Sequence, residues 1–206
     1  MESSSEEIKK KQLEAKENNN NTSIISINNN EISRTKTINL DKKVIESISS
    51  ILTEICKENT KKCKTMKNEY LKPFLLIPIP QISIKKYLEH LHNYIKTNSS
   101  TIIVMLIYIE RLCKTCKFKL TYYNIHKIIL AAFLVAIKYN EDEYYSTNFY
   151  SKIGGVTKAE IINLEYSFVS FINFDLFITD DIFKKYNYIS SPDSDDEDYV
   201  YDDDND

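Results

Sequence analysis

Glycine is almost missing from this chain: two among 206 residues, side by side at Gly154 and Gly155. Two adjacent glycines can write neither the GxGxxG fingerprint nor a P-loop, which excludes the common phosphate cradles of nucleotide-binding enzymes. Proline is also scarce, with four, at Pro73, Pro78, Pro80 and Pro192. So few breakers favour long helices over a many-stranded sheet with tight turns. No apolar run approaches about 18 uninterrupted residues, so no membrane span is expected. The opening stretch, MESSSEEIKKKQ, has no apolar core and reads as no secretory signal.

Candidate chemistry is equally thin. The three histidines are His90, His92 and His126. His90 and His92 stand two apart on a predicted helix and point to different faces, a poor spacing for a metal site. His126 opens an apolar helix and reads as a structural polar group. Cys113-x-x-Cys116 raises the question of zinc, but Cys56 and Cys63 have the wrong spacing for a second pair. The four cysteines read as reduced thiols of a protein of the nucleus or cytoplasm. No serine or cysteine sits in a recognisable nucleophile elbow. The expectation is a chain that is not an enzyme and has no catalytic residues, metal or cofactor.

The formal net charge of −3 is unevenly spread. Residues 193–206 hold nine acids and no base, residues 1–40 balance, and residues 41–192 carry an excess of six bases. Those bases are scattered rather than clustered, which argues against a nucleic-acid partner. Asparagine-rich low complexity over 1–40 and the acidic stretch 190–206 hold too little apolar sequence to fold alone and are expected to be disordered.

Between them, helical periodicity recurs. Asp41 can cap a lead-in helix to about Lys57, with Val44, Ile45, Ile48, Ile51, Leu52 and Ile55 on one face. Residues 59–80 read as an extended connector closed by Pro78-Ile-Pro80. Further helices are predicted over about 82–95, 100–114 (capped by Ser99 or Ser100), 122–139 (capped by Thr121), 147–153 and 158–172, with a short last one from Thr179 or Asp180. The middle of the 122–139 helix, Ile128 to Ile137, is apolar all round, so other helices must surround it. Ala131, Ala132 and Ala136 let those neighbours approach closely. Gly154-Gly155 supplies a helix stop, and Thr157-Lys-Ala-Glu160 a capping box. The architecture expected is all-α: one central helix wrapped by amphipathic ones. Lys138 and Glu165 each lie in otherwise apolar helical surroundings, where such residues are paired, at the rim, or part of one polar surface site.

Several motifs in register then carry a family likeness. Ile82-Ser-Ile-Lys-Lys-Tyr-Leu-Glu-His-Leu91, Ile107-Tyr-Ile-Glu-Arg111, Asn124-Ile-His126, Ala136-Ile-Lys138, Gly154-Gly155 and Asn163-Leu-Glu165 resemble the P/U-type cyclins, relatives of the fungal phosphate-response cyclin. The likeness spans about 80–186, and the 41–58 helix resembles the family's lead-in helix. It implies a single five-helix cyclin box over 80–189, preceded by lead-in helix and connector over 41–79. It implies a regulatory subunit that binds and activates a cyclin-dependent kinase. In cyclins a lysine ending the third box helix and a glutamate in the fifth contact the kinase near its αC helix, and they fall on Lys138 and Glu165. Flanking contact positions fall on Val135, Tyr139, Tyr166, Val169, Phe174 and Leu176. The alternative is a cyclin-fold scaffold, or a relative of transcription-initiation factors, that binds nucleic acid or a non-kinase partner. The chain departs from the family at Glu110, where members have Asp, and only Lys85 or Lys86 stands near the place of the buried arginine that pairs with it. A substrate-docking groove built on that link is therefore not expected.

Overall fold

A computed structural model describes residues 40–62, 69–117 and 119–190. The segments expected to be disordered lie outside these residues except at their edges, as does Cys63. Every regular element among the described residues is helical. They are α1 (40–62), a 3-10 helix (Glu69–Phe74), α2 (Ile84–Ile95), α3 (Ser99–Cys116), α4 (Ile125–Asn140), α5 (Thr147–Gly154), α6 (Lys158–Phe171) and α7 (Asp180–Ser190).

The core forms around α4. His126 and Ile125 are buried, as is every residue from Ile128 to Ile137. Full burial of each large aliphatic or aromatic side chain contributes about 1.5–3 kcal/mol, so this helix anchors the fold. The α3 helix goes further than its sequence suggested: Thr101 through Ile109 and Leu112 are also buried. Two helices, not one, are thus enclosed, and they pack against each other. Around them α2 buries Ile84, Tyr87, Leu88, Leu91 and Ile95, and α6 buries Ile161, Leu164 and Phe168. The five helices α2 to α6 form the expected box, with α4 third and central.

Local chemistry sets the boundaries. Ser83 caps α2, its hydroxyl accepting from the Lys86 amide at 3.2 Å. Ser146 caps α5 in the same way. Gly155 ends α5 at φ 69°, left-handed backbone that glycine adopts without a Cβ penalty. Gly154 serves differently: a Cβ there would stand 2.4 Å from Leu130 Cδ2, so its bareness lets α5 close on α4.

Five expectations need correction, the first being that Asp41 caps α1: it lies within that helix, which already includes residue 40. Residues 59–80 are not one extended connector, because α1 continues to residue 62 and Glu69–Phe74 coils into a 3-10 helix. Thr121 does not cap α4: Asn124 stands at that position, and its Oδ1 accepts from the Thr121 amide at 2.8 Å, closing the preceding turn instead. Neither Ser99 nor Ser100 caps α3, since both lie within it and Asn98 precedes it. Thr157 does cap α6, accepting from the Glu160 amide at 3.1 Å, but the Glu160 carboxylate pairs with Lys127 at 2.7 Å. The half-buried lysine takes the carboxylate that a capping box would send back to the Thr157 amide.

The α1 helix lies along the box. It buries Val44, Ile45, Ile48, Leu52 and Cys56, while Ile55 is left exposed and Ile51 half-buried. Lys85 on α2 reaches Glu46 of α1 at 2.6 Å, and at its other end Asn59 donates to the Leu120 carbonyl at 3.0 Å.

Candidate partner-binding face

The sequence left open whether Lys138 and Glu165 meet. They do. Lys138 Nζ donates to Glu165 Oε1 at 2.6 Å and to Oε2 at 2.8 Å, joining the last turn of α4 to the middle of α6. The lysine side chain is 28% exposed and the carboxylate 24%, so the pair is partly desolvated yet reachable from outside. A single ammonium holding both carboxylate oxygens leaves acceptor lone pairs and a donor hydrogen for another molecule.

Exposed aromatic residues adjoin this pair in the chain. Tyr139 follows Lys138 and is half exposed, Tyr166 follows Glu165 and is 69% exposed, and Phe174 is 67% exposed. Val169 is half-buried, one turn beyond Glu165 on α6. The two remaining candidates sit deeper: Val135 is a core residue, and Leu176 packs against the core. They support the face from beneath, while Tyr139, Tyr166 and Phe174 supply its surface. Large aromatic side chains left in water around a half-desolvated charged pair are the composition of a binding hot spot.

The chain leaving α6 completes the face. Asn173 and Phe174 both have left-handed backbone, at φ 54° and 57°. For a phenylalanine this costs on the order of 1–2 kcal/mol. Hydrogen bonds hold the turn: the Phe174 amide donates to the Val169 carbonyl and the Asp175 amide to the Ile172 carbonyl, each at 3.0 Å. Beyond it, Tyr108 of α3 donates its hydroxyl to the Leu176 carbonyl at 2.8 Å. Burial, above all, pushes that phenol up to about 12, so it stays a donor at any physiological pH.

Sequence reasoning missed Arg111. It appeared in the Tyr-Ile-Glu-Arg motif but received no role. Its guanidinium donates to the Asp175 carbonyl and to the Phe177 carbonyl, both at 2.7 Å. The available signal was an arginine three residues after Tyr108, on the same face of an apolar helix. Glu110, beside it, pairs with Lys114 at 2.7 Å on the surface. With Lys85 held by Glu46, neither end of the link missing from the sequence is re-formed by another route.

The remaining candidates are quieter. Cys56 and Cys113 are each pushed up to about 12, chiefly by burial, and are inert thiols. No group of three or more metal-binding side chains gathers among the described residues. His126 accepts its expected structural role only in part. Its Nε2 lies 3.0 Å from the Ile82 carbonyl, but its buried Nδ1 has no partner.

Comparison with known proteins bears on the family. The cyclin family model matches residues 3–176. Cyclin-U4-3 of Arabidopsis thaliana is 31% identical over 144 residues, covering 69% of this chain and 64% of that protein. Cyclin-U2-1 of the same plant is 31% identical over 109 residues, 52% of this chain and 49% of that protein. The PHO85 cyclin-like protein psl1 of Schizosaccharomyces pombe is 29% identical over 150 residues, 66% of this chain and 62% of that protein. The chain thus spans about half to two thirds of the length of these relatives. With the motifs in register, the five-helix box around α4 and a family match over most of its length, this chain belongs to the cyclin family.

Proposed function

We propose that the chain is a regulatory cyclin subunit, without catalytic activity of its own, that binds and activates a cyclin-dependent kinase. The observation that carries this reading is the Lys138–Glu165 pair set among exposed Tyr139, Tyr166 and Phe174. The aromatics supply buried area and the charged pair fixes register on a helix that offers donors and acceptors at its surface. That helix is the kinase αC helix. An active kinase needs its β3 lysine paired with the αC glutamate, and a partner that fits only the inward position of αC shifts the population towards it. The α1 helix, with Ile55 exposed, adds contacts beside the box. The complex works in the nucleus or cytoplasm, which suits the free thiols of Cys56, Cys113 and Cys116.

Affinity purification of the full chain with identification of bound kinases is the first test, and a kinase related to the partner of the fungal phosphate-response cyclins is the first to assay. The second is Lys138→Ala and Glu165→Ala in the reconstituted pair. Each leaves one charge without its partner at a desolvated interface, and each is expected to weaken binding by about 2–3 kcal/mol, roughly 30- to 150-fold. Unchanged binding and unchanged kinase activity in both variants would remove this face as the kinase site.

A further inference from the structure

The strap that follows α6 carries more than Phe174. Phe177 is 70% exposed, three residues further on, while Leu176 and Ile178 beside it pack against the core. An extended segment with alternate residues inward and outward keeps its outward residues in place only if its backbone is fixed. Here it is fixed from α3. Arg111 Nη1 donates to the Asp175 carbonyl at 2.7 Å and lies 3.2 Å from the Asp175 carboxylate, and Nη2 donates to the Phe177 carbonyl at 2.7 Å. The guanidinium itself is mostly covered, its side chain 17% exposed, and stands 5.9 Å from the Tyr108 ring centre. The planar fork of arginine spans two carbonyls at once, which the point charge of lysine does not do.

This strap is continuous with the face already described. Its turn is bonded to α6 through the Val169 carbonyl, one turn past Glu165. Its far side is bonded to Tyr108, whose hydroxyl also meets Asn140, two residues beyond Lys138.

We infer that Arg111 is a positioning residue for partner recognition, clamping the 175–177 backbone so that Phe174 and Phe177 stand outward as a second, aromatic half of the Lys138–Glu165 face. The occupant is the same kinase, and the inference rests on the kinase reading above. The kinase meets the strap with an apolar surface, since the strap's outward side chains are two phenylalanines flanking an acid already held by Arg111.

The test is calorimetric titration of the purified kinase, identified by the affinity purification, into the full chain and its variants, with a thermal melt of each. Phe177→Ala should weaken binding about tenfold and leave the melt unchanged, because the ring is in water in the free chain. Arg111→Ala should weaken binding by a similar factor, and Arg111→Lys should fail to restore it. The double variant Arg111→Ala with Phe177→Ala should be little worse than either single one, since a released strap no longer presents the ring. A purely structural arginine would give independent, multiplying effects, about a hundredfold in the double variant, and that result overturns the inference. So does Arg111→Ala binding within twofold of the unaltered chain. If the unaltered chain binds no kinase, the reading of the whole face falls and the inference with it. If Arg111→Ala fails to fold, Phe177→Ala binding within twofold of the unaltered chain is sufficient to refute it.

Discussion

Lys127 and Lys138 stand at opposite ends of α4, and each pairs with a glutamate of α6 at nearly the same distance, 2.7 Å to Glu160 and 2.6 Å to Glu165. Their surroundings differ. Lys127 is 13% exposed and donates also to the Leu75 carbonyl at 2.9 Å, so its two bonds join two separate groups inside the molecule. Beside it a pocket of about 320 Å³ opens, lined by Tyr87, His90, His126, Leu130 and Gly154. Lys138 has no further bond of this kind among those the structure gives it, and Tyr139 beside it, Tyr166 beside its partner and Phe174 after α6 all stand in water. The same ion chemistry therefore serves as an internal brace at one end and, in the function proposed above, as a recognition surface at the other. An ion pair by itself marks neither; what separates them is whether the neighbours are satisfied.

Exchanging the charges breaks this comparison most sharply. In Lys138→Glu with Glu165→Lys the free chain can rebuild its pair, so the melting temperature should stay within a few degrees. The kinase meets charges of the wrong sign, and binding should fall by about a hundredfold or more, because like-charge juxtaposition costs several kcal/mol. Retained affinity would mean that the pair is as internal as the one at Lys127. The converse variant is Lys127→Ala. It leaves the Leu75 carbonyl and the Glu160 carboxylate short of a donor near the core, a cost of about 1–3 kcal/mol. That should lower the melting temperature by about 5 °C for a domain of this size, with kinase affinity within twofold once the chain is folded. A loss of binding larger than the loss of stability would show that the two ends are coupled.

Much of the fold was legible because its signals are local and redundant. The all-apolar run of α4, the threonine cap at Thr157 and the stop at Gly155 each follow from side-chain chemistry within a turn or two. The Ser83 cap does not, because a helix expected from about residue 82 places that serine inside it. The misreadings arise where a distant partner decides. Asn124 rather than Thr121 leads α4 because its amide group is taken up by the 119–121 backbone, and Glu160 abandons its box for Lys127. Of the proposed face, positions were legible in the sequence but geometry was not. Lys138 and Glu165 were singled out, yet only the crossing of α4 and α6 makes them one pair and puts Val135 beneath it. Arg111 escaped because its two shortest bonds go to main-chain carbonyls, which carry no sequence signature.

The smallest effect sharpens the comparison by pH. His126 sits at the Lys127 end, with its ring edge-on to Tyr87 at 5.2 Å and Nε2 bonded to the Ile82 carbonyl. Its neutral form satisfies Nε2 and leaves Nδ1 as a bare lone pair; protonation would create a buried N–H with no acceptor. Burial accordingly holds its pKa below the ordinary histidine value, against the opposing pull of the Ile82 bond. A folded pKa below the unfolded one means that the unfolded chain binds the extra proton first. Stability from this group is therefore complete above about pH 6.5 and is lost as pH falls from there through the folded value. His126→Gln keeps an amide donor for Ile82 and removes the titration. Melting curves from pH 7.5 to 5.5 should fall less steeply for the variant than for the unaltered chain. Kinase affinity of the folded chain should show no matching difference, since the titrating ring lies at the braced end of α4 and not among Tyr139, Tyr166 and Phe174. Equal slopes for the two chains would show that the proton goes elsewhere, and an affinity that followed the His126 titration would join the two ends that the structure keeps apart.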